Sequence, residues 1–381
     1  MKIAMVTNWT PQQPVAEYSF HLAEALGQYV ELTIIADIST NHISESSNKY
    51  EVMPVWQFDS HLTPLSIIQA VKGKGFDCIW FNITLGAFGH TTGNLAGLVT
   101  PLLLKLMGYP VVITLHNLVE GMDLNKVKFA GGKLTLYGAQ LATKLLTVAD
   151  LIFVLLPQYQ SVLSIKYGAK NVKIVPHGLL GQPKIDLSMA LPKTLLSFGI
   201  YGTHKKLETT LEAMRQVWQC DPEIKLVVVG GNNAHSPNYL ENLQRGCDLP
   251  NVEFRGYVSE DDVEPTFHQA SAVILTNSTT GGESGAMIQA CMYGKPVLTT
   301  NLPLFRQKQD EGFILDCFDV EDPDSIAESI LRLFGKSQEE LGEIGLHNHG
   351  LVAANGMDKV VNTCLSQIEE LLAWKESVLS T

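Results

Sequence analysis

The chain has 381 residues and a formal charge of −12, with 45% hydrophobic and 17% charged residues. That length exceeds one ordinary core, so two domains are expected, and the composition is that of a packed globular protein, not a disordered one. The acidic balance excludes an extended nucleic-acid groove as the main surface, because such a groove needs basic charge.

Six cysteines (Cys78, Cys220, Cys247, Cys291, Cys317 and Cys364) are scattered without a C-x-x-C pair. That argues against a disulfide framework or a zinc site and fits a reducing, cytoplasmic location. Met1-Lys2 runs straight into Ile3-Ala4-Met5-Val6, with no basic leader or cleavage site. The longest apolar run, 95–115, is broken by Pro101, Lys105 and Pro110, so it reads as a buried helix plus a strand, not a membrane span.

In chain order, short apolar runs predict strands over 2–6, 30–35, 78–81, 111–114 and 151–154. Helical periodicity between them predicts helices over 16–26, 65–72, 96–107 and 134–147. Such alternation implies a parallel sheet covered on both faces. A short strand over 172–175 leads into Pro176-His177-Gly178, and the irregular 179–193 reads as an interdomain hinge. The alternation restarts with strands over 195–199, 224–229, 252–254, 272–275, 297–300 and 314–315 and helices over 207–218, 284–293 and 324–334. The tail over 358–379 is again helical in period. The expected fold class is α/β, with two doubly wound Rossmann-like domains facing across a cleft. The first spans 1–182, the second 183–357, and a last helix over about 358–381 is placed to pack back on the first.

The most informative stretch is 275–306, LTNSTTGGESGAMIQACMYGKPVLTTNLPLFR. It reads as strand, glycine-bearing turn, helix and strand, with Gly294 ending the helix in a left-handed position. The free N–H groups of Ser284, Gly285 and Ala286 would point at an anion; the plain alternative is an ordinary crossover. A second candidate, 199–206 (GIYGTHKK), puts Gly202, Thr203 and Lys205-Lys206 at another helix start, where backbone donors plus an ammonium suit a diphosphate. In the first domain, His116 ends the strand VVITLHN and faces the cleft, or is a core histidine satisfied by a carbonyl. The loop over 86–93 carries Gly89 and His90 and suits an acceptor or lid role, while Gly89-x3-Gly93-x3-Gly97 equally suits close helix packing. Lys126, Lys128, Lys133 and Lys144 lie in a segment without acids, either a membrane-surface patch or a solvated face. No P-loop, H-E-x-x-H, G-x-S-x-G or dinucleotide fingerprint is present.

Taken together, MKIAMVTNWTPQQPVAEYSFHLAEAL, VVITLHN, KIVPHG, LSFGIYGTHKKLETTLEAM and IQACMYGKPVLTT, in this order, resemble the retaining glycosyltransferases of family 4 (glycosyl transferases group 1), which have the GT-B fold. The resemblance implies transfer of a sugar from a nucleotide diphosphate sugar with retained configuration, no metal and no cofactor. It implies a glycan, lipid-linked or small-molecule acceptor on the side of the first domain. Lys205 takes the position of the family's phosphate-binding lysine, with Gly202 and Thr203 in the same loop. Ser284, Gly285 and Ala286 fall where backbone N–H groups hold the diphosphate, Tyr257 and Val258 where a loop touches the base, and His116 beside the donor sugar.

Three departures stand out. The family's two glutamates, eight positions apart, fall here on Gly281 and Gln289; the nearest acid is Glu283, which the resemblance casts as orienting donor hydroxyls. Gln289 can still hydrogen-bond a ribose. An arginine common in the family is Ile200 here, and a first-domain glycine pair reads Pro14-Val15-Ala16, where Pro14 removes a backbone donor. The lost acids leave open a non-catalytic binding partner as the alternative to an active transferase.

Overall fold

A computed structural model describes residues 1–381 except 12–14, 91, 122–131, 182–184, 234–235, 280–281 and 380–381. The first domain is built on seven parallel strands: β1 (Lys2–Val6), β2 (Glu31–Asp37), β3 (Tyr50–Trp56), β4 (Cys78–Ile83), β5 (Val111–Leu115), β6 (Leu151–Val154) and β7 (Val172–Ile174). Their order is β3-β2-β1-β4-β5-β6-β7. Helices α1 (Ala16–Leu26), α2 (Thr63–Val71), α3 (Thr92–Leu106), α4 (Gly132–Leu146) and α5 (Pro157–Tyr167) connect them. β4 and β5 are buried along their whole length, which is why they read as unbroken apolar runs.

The second domain has six parallel strands: β8 (Thr194–Tyr201), β9 (Lys225–Asn232), β10 (Val252–Gly256), β11 (Ala272–Leu275), β12 (Val297–Thr300) and β13 (Leu315–Phe318). Their order is β10-β9-β8-β11-β12-β13. The connecting helices are α6 (Leu207–Cys220), α7 (Tyr239–Gly246), α8 (Glu260–Gln269), α9 (Gly285–Met292), α10 (Pro303–Asp310), α11 (Pro323–Phe334) and α12 (Gln338–Ala353). A final helix, α13 (Met357–Leu379), returns to the first domain. Its Val360, Val361, Cys364 and Ile368 join the cluster of Ile3, Met5 and Leu22, and Lys375 pairs with Asp150 at 2.9 Å.

In each sheet the strand order reverses once, between β1 and β4 and between β8 and β11. Ligand crevices open at the carboxyl ends of strands flanking such a reversal. Both domains therefore present their site-forming loops at one edge.

Strand β3 has no counterpart among the expected elements. Pro54 interrupts its sequence, and proline is tolerated only because β3 is the edge of its sheet. Helices α5, α7, α8, α10 and α12 are likewise additional. α12 begins with a capping box between Ser337 and Glu340 and packs its Gly345 so closely on the turn at Gly294 that a Cβ would sit 1.9 Å from the Gly294 carbonyl oxygen.

Candidate active site

Strand β8 runs into a short 3₁₀ turn, Thr203–Lys205, before α6. That turn is laced to the segment leaving β11. The Lys205 ammonium donates to Asn277 Oδ1 at 3.0 Å, Thr276 Oγ1 donates to the Lys205 carbonyl, and the Ser278 N–H donates to the His204 carbonyl at 2.8 Å. The two stretches singled out in the sequence, 199–206 and 275–306, thus meet through Lys205 and Asn277. Burial lowers the Lys205 pKa to about 8, so its charge is costly until an anion shares the site. Lys206 turns away and pairs with Glu321 at 2.9 Å, leaving Lys205 as the lysine of this pair in the crevice. Gly202 is buried, and its neighbour Thr203 is exposed.

Farther along the same turn, Ser284 caps α9 by accepting the Met287 N–H at 3.3 Å. The first-turn N–H groups of Gly285 and Ala286 have no acceptor inside the helix, and a Cβ on Gly285 would meet nothing within 4 Å. The start of α9 is therefore an open set of donors at the positive end of a helix dipole. On the outer side, Tyr257 is 58% exposed, with Val258 next to it half-buried. A Cβ at Gly231 would lie 3.7 Å from the Tyr257 ring and 4.0 Å from the Ile200 side chain. This gives an apolar ledge along the ends of β8, β9 and β10.

Across the crevice, His116 leaves β5 and is buried. Its Nε2 lies 2.8 Å from Asn82 Oδ1. Its ring meets Tyr18 edge-on at 4.6 Å, and Tyr18 in turn meets His177 at 5.2 Å. Burial, with His177 adding to it, pushes the His116 pKa down to about 3, so the imidazole is neutral at pH 7. A cavity of about 390 Å³ lies in front of it, lined by Tyr18, Glu17, Asn117, His177 and Glu283 among others.

Glu283 is turned inward, with its side chain 2% exposed. One carboxylate oxygen pairs with Lys308 of α10 at 3.2 Å, while Oε1 is buried without a hydrogen-bond partner. Gln289 of α9 donates from Nε2 to Glu17 Oε1 of α1 at 3.3 Å. Asn117 forms an antiparallel backbone bridge with Gly282, and a Cβ on Gly282 would sit 2.6 Å from the His116 carbonyl oxygen. The two domains therefore touch across the crevice at the turn before α9.

The structure brings His116 and Glu283 to one cavity and joins Lys205 to the turn leading to Ser284, Gly285, Ala286 and Gln289. Gly89 and His90 sit apart from the lining around His116. Gly89 is pressed on Asp59, whose carboxylate accepts the His90 N–H at 2.9 Å, and Gly97 abuts the Phe88 ring. Close packing is what these glycines do. Pro14, Gly281, Lys126 and Lys128 lie outside the described residues, as does the Lys133 side chain. Glu17 and Lys308 were not legible in the sequence. Each is a charged residue within a helix, and only the folded crevice gives either a partner. Among the described residues no group of three His, Cys, Asp or Glu side chains is placed to hold a metal.

Residues 192–336 match the sequence model of the family described as glycosyl transferases group 1. The second domain is thus similar to glycosyl transferases group 1. A phosphatidyl-myo-inositol mannosyltransferase of Mycobacterium leprae is 25% identical over 167 residues, 42% of this chain and 43% of that protein; its counterpart in Mycobacterium tuberculosis is 30% identical over 35% of this chain and 34% of its own length. The matched stretches thus span less than half of these relatives. Whole-chain likeness comes from solved structures. The sucrose-phosphate synthase of Thermosynechococcus elongatus superposes with a TM-score of 0.75 at 16% identity, covering 98% of this chain and 99% of that one. Anabaena HepE in complex with UDP and glucose superposes with a TM-score of 0.68 at 15% identity, covering 96% and 99%. The fold is GT-B.

Proposed function

We propose that the protein is a retaining glycosyltransferase that moves a hexose from a nucleotide diphosphate sugar to an acceptor hydroxyl. The observation that carries this reading is the meeting of Lys205 with the turn that opens α9, which holds Glu283 and lies across the crevice from His116. An ammonium and preorganised backbone N–H groups are what a departing diphosphate needs, and they act with no reorganisation as charge develops. No metal is required for that charge. The exposed ledge of Tyr257 suits a base, and Gln289 with Glu17 suits ribose hydroxyls.

The neutral His116 acts as a hydrogen-bonding group at the donor sugar, not as a cation. Glu283 orients donor hydroxyls through Oε1. Retention then follows from holding the acceptor hydroxyl on the same face as the leaving diphosphate, where the positioned diphosphate oxygen receives its proton. The relatives' names point to a lipid-linked acceptor as one candidate class. Leu106, Met107, Tyr137 and Leu141 of the α3–α4 region are exposed beside Lys144, a surface suited to weak peripheral contact with a bilayer; no helix among the described residues is long and apolar enough to cross one.

The test is a panel of sugar nucleotides screened by thermal shift, then by transfer with chelator present and NMR of the product anomer. Retained configuration with chelator-insensitive turnover is expected. An inverted product, or turnover abolished by chelator and restored by a divalent cation, contradicts the reading.

A further inference from the structure

Glu283 stands two residues beyond the position at which the family's first glutamate falls on this sequence. A carboxylate moved into a new register and buried to 2% exposure needs a counter-charge, because an unpaired buried charge is strongly destabilising. That charge comes from the sequence LFRQKQD, the helix α10. Its Lys308, with a side chain only 11% exposed, places Nζ 3.2 Å from Glu283 and 3.0 Å from Glu311. The pairing uses one oxygen of Glu283 and leaves Oε1 buried without a partner, and Glu283 lines both the cavity in front of His116 and the adjoining one lined by Lys308.

Resting on the transferase reading above, we infer that Lys308 is the positioning residue for Glu283. It anchors one carboxylate oxygen from outside the crevice so that the other is presented to a donor sugar hydroxyl. The groups facing this pair come from several elements. The Glu283 carboxylate acts on His177 of the interdomain segment and on Tyr159 of α5. The Phe313 ring lies 5.9 Å from Lys308 Nζ, and Lys359 of α13 lines the adjoining cavity together with Glu283, Lys308 and Glu311. Burial works against the Lys308 charge, but Glu283 and Glu311 outweigh it and raise its pKa. Lys308 is therefore charged throughout the neutral range. The lysine thus compensates, from another element, for a shift of the acid along the chain.

Two readouts on the full chain test this: melting without ligand, and pH profiles of donor turnover for Lys308→Met, Lys308→Arg, Glu283→Gln and the Glu283→Gln/Lys308→Met double variant. Lys308→Met should lower the melting temperature by several degrees, and adding Glu283→Gln should restore most of the loss; strictly additive losses overturn the pairing. With UDP-glucose or another donor that shifts melting, Lys308→Met should lose about 10- to 100-fold in kcat. The acid limb of its profile should move up by about one pH unit, with UDP affinity unchanged and partial rescue by Lys308→Arg. A Lys308→Met enzyme with wild-type kcat and acid limb overturns the positioning role while the transferase reading stands. A fully active Glu283→Gln enzyme overturns the role given to Glu283 and with it that of Lys308, while the transferase reading stands. A wild-type chain that binds and turns over no sugar nucleotide overturns the transferase reading and this role with it, even if the melting cycle shows the pair.

Discussion

At the scale of single residues, the site depends on groups whose charge is set by burial. Lys205, with a pKa near 8, is protonated at neutral pH and loses its proton as pH rises beyond that value. A bound diphosphate raises the pKa again, so donor binding above pH 8 should take up a proton. We expect UDP affinity to weaken between pH 8 and 9.5 and calorimetry in buffers of different ionisation enthalpy to show proton uptake; Lys205→Arg should remove the pH dependence. A wild-type affinity flat across that range would speak against Lys205 as the phosphate ligand. His116 has the opposite kind of consequence, on stability. Its folded pKa near 3 lies below the unfolded value of about 6.5. The unfolded chain therefore binds the proton first, and stability is lost as pH falls from about 6.5 towards 3, by about 1.4 kcal/mol per unit for one such group. Urea midpoints between pH 5 and 7 should fall less steeply in His116→Gln than in the wild type. Both residues were legible in the sequence because each stands at a strand end next to a recognisable run. Lys308 and Glu17 were not, because a charged residue on a helix looks the same in sequence whether it meets solvent or a buried partner.

At the scale of elements, strands flanked by buried faces were the most readable parts. β1, β6, β11 and β12 coincide with the apolar runs that announced them, because a strand covered on both faces is largely apolar on both. β3 lacked that signal. As an edge strand with Pro54 and an exposed Glu51, it shows neither continuous apolarity nor clean alternation. The polar helix α10 was hidden for a related reason: its sequence PLFRQKQD buries only Leu304, Phe305 and Lys308. The glycines of α3 carry the prediction at this scale. A Cβ at Gly97 would lie 2.4 Å from the Phe88 ring, within a buried cluster that cannot yield without moving the loop. Gly97→Ala should cost about 1–3 kcal/mol in urea unfolding with little change in UDP affinity. An unchanged midpoint would mean that this loop repacks freely.

At the scale of the molecule, the two sheets reverse strand order at facing edges, and the crevice between them is crossed by the Asn117–Gly282 bridge and the Glu17–Gln289 hydrogen bond. That a cleft would form was legible from two runs of alternating strands and helices. That the acid missing at Gln289 would be met by Glu17 from the opposite domain was not, since no local pattern records which residues face each other across a sequence separation of 272. Gly282→Ala should open this contact, because its Cβ would collide with the His116 carbonyl. We expect a higher donor KM with melting nearly unchanged; an unaltered KM would show that the bridge does not set the closed form. The central claim, that the crevice binds a nucleotide diphosphate through Lys205 and the start of α9, is tested most directly by melting the chain with UDP, GDP and ADP and their sugar conjugates. At least one should raise the wild-type melting temperature by several degrees, and Lys205→Ala should lose most of that rise. No shift with any of them, or an equal shift in Lys205→Ala, would contradict it.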